Sequence, residues 1–515
     1  MGSNTLREKA AKTAIQLVHT KNTLVKEPVG GLFVGAQIIT EAQDGVGKIR
    51  DIVKTHCGKE GYTPIVMSDF ENGCGSMIEG LTPLPFLMSL GACNDKRLAY
   101  DYGKATALEA VSAGANASFS PVCDLNINPR NPLVNVRSVS DDPDIAIPIL
   151  TEVIRGMQEN GLAACAKHFP GDGVDWRDQH IITSCNSLSM DEWYKTYGRV
   201  FKAVIDAGVS LIMPGHISLP AYQKERVRNM PLPATLSSEL LQGLLRGELG
   251  YKGVIVSDAT NMGGFNGWYK DKTEAEIECF KAGCDFVLWP TPEYVDNLVS
   301  AVENGYISEK RLNESVERIE ALQDRFANKN GDITELTEEQ KLFVKDVQKR
   351  TAEHSITLIK DEFNNLPLKS DDKKILICNI CNHPPVQKDA ELLKTELEKR
   401  GFEVKYFSAR PNGAEFKKYE EWADKIIYPM YTRSFRPIGP IDFWENNAWT
   451  VAFSFGSTIR KNIYVSFGNP YFGNQYFEKA GTYVNAYSFL APSIKAFVRA
   501  LTGEIEFSDF SPVKL

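Results

Sequence analysis

Between residue 29 and about residue 325, short and nearly unbroken apolar runs recur, each closed by a polar cluster and followed by a helix-length stretch. The runs are VGGLFVGAQ, TPIVMSDFENG, ASFSPVCDLN, AACAKHFPGDG, SLIMPGH, KGVIVSDATNM and AGCDFVLWP. A strand with one wet face alternates apolar and polar residues. These runs do not, so they predict strands buried on both faces, as in a parallel sheet covered by helices. Between the third and fourth runs the helix punctuation is explicit, with Asp142 as N-cap, Pro143 at the first helical position and Gly161 as the stop. Seven such units predict an α/β fold of the (β/α)8 TIM-barrel type, closed or slightly incomplete, over residues 1–328.

Residues 329–350 are charged and amphipathic and read as a linker helix. A second set of strand and helix patterns follows, including KKILICNI, FEVKYF and KNIYVSFGNPYF, and predicts a smaller α/β sandwich domain over residues 351–515.

A chain of 515 residues has room for two cores, and 43% apolar with 24% charged residues is an ordinary globular composition. No apolar run approaches the roughly 18 residues of a membrane span, so no membrane insertion is expected. The net charge of -8, without a dense Lys/Arg block, argues against nucleic acid as a partner. A neutral small molecule or oligosaccharide suits it better. Ten cysteines lie mostly inside apolar segments such as LAACAK, which predicts free thiols and a reducing, cytoplasmic compartment. The opening MGSNTLREKAAKTAIQLVHTKN has no apolar core of signal-peptide type. Cys378, Cys381 and His383 in CNICNH miss the haem-attachment spacing and lack a second ligand pair, so no metal site is expected there.

The chemistry gathers at the ends of the apolar runs: Asp69, Asp124, Lys167 with His168, His216 and Asp258. In a barrel these positions face the catalytic mouth. Any one acid after a strand is commonly a cap for the next helix; five polar strand ends in register point to a functional face. Asp178 stands two residues before His180, in the loop KHFPGDGVDWRDQH. A carboxylate so placed can accept from one ring nitrogen, fix the tautomer and leave the other nitrogen to exchange a proton. Gly171 and Gly173 predict a mobile loop able to close over a substrate. A strand-borne Asp258 opposite a proton donor is the arrangement of glycoside cleavage with retention. From these residues alone, a surface loop with chance charges and a capping Asp258 remain alternatives.

AKHFPGDGVDWRDQH together with VIVSDATNM resembles the β-N-acetylglucosaminidases of glycoside hydrolase family 3. Their loop reads K-H-F-P-G-x-G followed by D-x-H, and His180, thirteen residues beyond Lys167, keeps its spacing. The resemblance implies His180 as general acid/base, Asp178 as its orienting partner and Asp258 as nucleophile. It also implies sugar contacts from Asp69, Arg137, Lys167 and His168, with His216 as a further candidate. The implied activity is exo-acting removal of terminal β-linked N-acetylglucosamine by double displacement, with no metal or organic cofactor. Phosphorolysis by the same residues is the alternative, and a non-catalytic sugar-binding protein is a second. Two departures stand out. ENGCGSM places Cys74 and Met77 where the family carries arginines, so the resemblance does not extend to anhydro-muropeptide recognition; Asp172 stands where the family's loop has a second histidine.

Overall fold

In the computed structural model, residues 5–19, 21–35, 44–57, 62–327, 333–381, 384–408, 413–431 and 452–515 are described, apart from 453 and 456–458 and the side chains of 381–390. Eight parallel strands form the first sheet: β1 (Ala14–Leu17), β2 (Gly31–Phe33), β3 (Ile65–Ser68), β4 (Ala117–Ser118), β5 (Ala163–Phe169), β6 (Leu211–Pro214), β7 (Val254–Ile255) and β8 (Val287–Leu288). Each pairs with the next, β8 pairs with β1, and a bridge from Val256 to Phe286 joins β7 to β8. The ring is therefore closed. Seven of its strands coincide with the apolar runs; the eighth, β1, lies in the opening segment and completes the barrel.

Side-chain alternation explains why the runs are apolar throughout. Ile15, Phe33, Ile65, Met67, Ala117, Ala163, Cys165, Leu211, Met213 and Val254 fill the barrel interior. Their neighbours Leu32, Val66, Ala164, Ala166, Ile212 and Ile255 point outward into the layer of helices. Successive residues on a strand face opposite sides, and here both sides are dry. The helix Pro143–Glu159 begins as its punctuation requires, with the Asp142 side chain accepting from the Asp144 N–H.

The second sheet runs in the order Thr357–Asp361, Thr482–Asn485, Asn462–Ser466, Lys425–Tyr431, Lys374–Cys378, Glu403–Phe407, with only the first pair antiparallel. An apolar cluster covers each face of this sheet, one of them holding the helix Ala491–Leu501. The helix Glu338–His354 packs on the barrel helix Lys96–Ala113 and on Ala491–Leu501, so it touches both units. Arg350 pairs with Asp101 at 3.1 Å across this seam. A separate apolar cluster joins Phe86, Met88, Ala92 and Val136 of the barrel to Tyr471, Tyr487 and Val513. This contact brings residues near 489 to the barrel mouth.

The nine described cysteines are free. The Cys381 side chain and His383 lie outside the described residues. Among the described residues no helix is long and apolar enough to cross a membrane.

Candidate active site

At the carboxyl ends of the barrel strands a cavity of about 670 Å³ opens, lined by Asp69, Arg137, Lys167, His168, His180 and Asp258 among others. Six of the eight residues to which the resemblance gives a role thus meet in one place.

Lys167, on β5, is almost fully buried and its Nζ lies 2.8 Å from Asp69 Oδ1 and 2.7 Å from Glu71 Oε1. Arg137 donates from Nε and Nη2 to the two oxygens of Glu71, both at 2.7 Å. Glu71 is therefore the hub that holds both cations. Burial pushes its carboxyl up, but Arg137 and Lys167 outweigh that and hold it well below the ordinary range. Both cations are in turn kept charged despite burial by the acids around them. No sequence reasoning singled out Glu71. Its only local signal was an acid two residues beyond a strand-end aspartate, and its partners lie 66 and 96 positions away in the chain.

His168 follows on the same strand, and its Nδ1 lies 2.7 Å from Asp124 Oδ2. An ionised carboxylate only accepts, so Nδ1 carries the hydrogen and Nε2 is the free ring atom. His180 repeats this logic: Nδ1 donates to Asp178 Oδ1 at 2.9 Å, and the same oxygen accepts the His180 backbone N–H at 2.8 Å. Asp178 is buried beneath the ring and does not line the cavity; His180 is about a third exposed and does.

Asp258 follows β7. Its Oδ1 accepts the Ala259 N–H at 2.8 Å, while Oδ2 is buried and has no hydrogen-bond partner among the described residues. Burial raises its carboxyl, but His216, His168, the Ala259 N–H and His180 together bring it below the usual value. It is ionised at neutral pH, with one oxygen uncommitted.

Two expectations are corrected. His216 does not reach the cavity: it is fully buried, with Nε2 donating to the Ala259 carbonyl at 3.0 Å and Nδ1 accepting from the Thr235 hydroxyl at 2.9 Å. Burial lowers its proton affinity, and the ring braces the loop that carries Asp258 rather than a sugar. The glycines of the His180 loop serve packing rather than motion. A Cβ on Gly171 would meet the Tyr197 ring at 2.1 Å, and one on Gly173 the Leu125 carbonyl oxygen at 1.9 Å. The Gln179 and His180 carbonyls also accept the N–H groups of Gly264 and Gly263, at 3.1 and 2.8 Å. His180 faces the cavity without any closure.

Gln179, between the two dyad residues, was also missed. Its amide donates to Asp172 Oδ2 at 3.2 Å and accepts the His216 N–H at 2.7 Å. Burial, with Asp124 nearby, raises the Asp172 carboxyl to about 7. Of the two positions where the arginines are absent, Cys74 is buried with its thiol on the Thr106 carbonyl, and Met77 lines the cavity. Phe489 and Leu490 reach the cavity from the second domain, with Phe489 packed on Phe86 at 5.4 Å between ring centroids.

Residues 5–322 match the glycosyl hydrolase family 3 N-terminal domain. A β-N-acetylglucosaminidase/β-glucosidase of Cellulomonas fimi is 31% identical over 519 residues, covering 94% of this chain and 89% of that protein. Among solved structures, a β-glucoside phosphorylase bound to 2FGlc superposes with a TM-score of 0.87 at 27% identity, over 99% of this chain and 94% of its own. A family 3 β-N-acetylglucosaminidase from Paenibacillus sp. str. FPU-7 gives 0.83 at 26% identity, over 100% and 99%.

Proposed function

Since the chain belongs to glycosyl hydrolase family 3 and is a glycosidase, we propose that it removes terminal β-linked N-acetylglucosamine with retention, through a glycosyl-enzyme intermediate. Asp258 Oδ2 attacks the anomeric carbon while the bond to the leaving oxygen breaks. His180 Nε2–H gives that oxygen its proton. In the second step water attacks the anomeric carbon, the ester to Asp258 breaks, and Nε2 takes the proton back. Asp178 accepts from Nδ1–H throughout, which holds the ring in one tautomer and stabilises the imidazolium. Lys167, Arg137, His168 and Asp69 bind the hydroxyl groups of the sugar, in contacts that strengthen toward the transition state.

The observation that carries this reading is the pairing within one cavity of an ionised carboxylate oxygen without a partner and a carboxylate-braced imidazole. The N-acetylglucosamine preference is supported by the names of the Cellulomonas and Paenibacillus relatives. Release of nitrophenol from an aryl N-acetyl-β-glucosaminide, compared with the aryl β-glucoside, tests the glycone. Turnover of the glucoside alone sinks the preference.

A second reading, phosphorolysis, is favoured by the likeness to the β-glucoside phosphorylase. An imidazole that has given up its proton is neutral and does not repel an incoming phosphate, as a carboxylate would. Product analysis with and without inorganic phosphate decides between the two. Sugar 1-phosphate as the main product replaces hydrolysis; a rate and product independent of phosphate removes phosphorolysis.

A further inference from the structure

Only twelve large hydrophobic side chains are exposed among the described residues, and three of them, Trp176, Ile181 and Ile182, fall within seven positions around His180. Their exposures are 52%, 58% and 48%. The backbone holds the two isoleucines in this attitude. The N–H groups of Ile181 and Ile182 both donate to the Asp178 carbonyl, at 3.0 and 3.1 Å, and the next residue, Thr183, donates from its hydroxyl to the Gly264 carbonyl at 2.7 Å. Ile181 also abuts the loop after β7: a Cβ on Gly263 would lie 2.2 Å from the Ile181 carbonyl oxygen. Asn261 and Met262 of that loop line the cavity. Ile181 and Ile182 thus follow the acid/base directly, outside the residues that line the cavity but beside a loop that does line it.

That position has a chemical consequence, which rests on the reading of His180 as acid/base. The group that protonates the leaving oxygen must touch it, so the atoms beyond that oxygen lie against whatever surrounds His180 on the outer side. Branched aliphatic side chains offer nothing to sugar hydroxyls, and stripping water from hydroxyls against them would go uncompensated. Arg177, the one charged side chain between Trp176 and Asp178, is neutralised by Asp175 at 2.6 Å and offers no free cation for an acidic aglycone. We propose that Ile181 and Ile182 form a binding site for an apolar aglycone, alkyl or aryl, at the mouth of the cavity.

Alkyl glycosides isolate this contact, because lengthening the chain adds apolar area without changing the leaving oxygen. Binding of methyl and octyl β-glycosides of N-acetylglucosamine and of glucose is measured by calorimetry on the full chain carrying Asp258→Asn, which stalls the chemistry. A fully buried methylene is worth about fourfold in affinity, and partial burial on an open rim about twofold. With three or four methylenes in contact, octyl binds about tenfold tighter than methyl. Ile181→Ser with Ile182→Ser brings that ratio to about twofold or less. Equal binding of the two glycosides, no binding of either, or an octyl advantage that survives the serines overturns the proposal. Turnover by the parent chain is a separate measurement: its absence sinks the proposed activity without touching the octyl-to-methyl ratio.

Discussion

Replacing Glu71 by glutamine removes one charge from the hub on which Lys167 and Arg137 converge. Lys167 keeps Asp69 at 2.8 Å, but beyond Glu71 Arg137 has the Leu133 carbonyl at 3.2 Å. A glutamine amide retains one acceptor oxygen and turns its NH2 toward a donor, so at least one short contact becomes donor against donor. Arg137 is about nine-tenths buried, and stranding a buried charge costs about 3–5 kcal/mol. Taking about 3 kcal/mol for the partly compensated case, and roughly 2–4 °C per kcal/mol, the apparent Tm falls by about 6–12 °C. If Arg137 and Lys167 shift by about 1 Å, kcat/KM falls by about 100-fold, since misplacement on that scale is felt at the reacting centre. Scanning calorimetry reads the first effect and hydrolysis of an aryl glycoside the second. A Tm within about 1 °C of the parent, with kcat/KM within about twofold, would refute the claim that Glu71 positions the two cations.

Three further outcomes follow from other parts of the site. His180→Ala slows substrates with alkyl leaving groups by about 10²–10⁴-fold and those with very acidic phenols far less, because only the former need a proton at departure; equal losses across the series would contradict its role. Glu109, buried with both oxygens on the Thr82 N–H, is raised by burial to about 7. The folded chain then holds a proton that the unfolded chain releases, so this stability is full below about pH 4.5, is lost as pH rises toward 7 and is constant above, a change of about 3 kcal/mol. Urea midpoints at pH 5 and 8 should therefore diverge more in the parent than in Glu109→Gln, and parallel behaviour would count against it. Gly171→Ala, at φ +119° with its new methyl in the Tyr197 ring, costs about 2–4 kcal/mol in chemical denaturation; a loss under about 0.5 kcal/mol would mean the loop is free to yield.

The barrel was legible because burial on both faces leaves few polar residues inside a strand, so the polar strand ends stand out against an apolar background. β1 escaped this test: in EKAAKTAIQLVHTKN its apolar residues continue the pattern of the helix Leu6–Lys12 that precedes it. Asp258, His180 and Lys167 were readable because their chemistry is written within a few residues. Glu71, Phe489 and Leu490 were not, since each matters only through a partner distant in the chain. His216 shows the limit of strand-end reasoning. It occupies the same kind of position as Asp258, yet the Thr235 hydroxyl and the Ala259 carbonyl turn its ring away from the cavity, and nothing local announces them.

In the proposed mechanism Asp258 forms a covalent bond to the sugar while His180 serves the leaving oxygen. Incubation with a 2-deoxy-2-fluoro glycoside bearing an acidic leaving group, followed by peptide mapping by mass spectrometry, tests this most directly. The predicted result is one glycosyl adduct, on the peptide bearing Asp258 and absent from Asp258→Ala. An adduct on a different residue, or no adduct together with a product of inverted anomeric configuration, would contradict it.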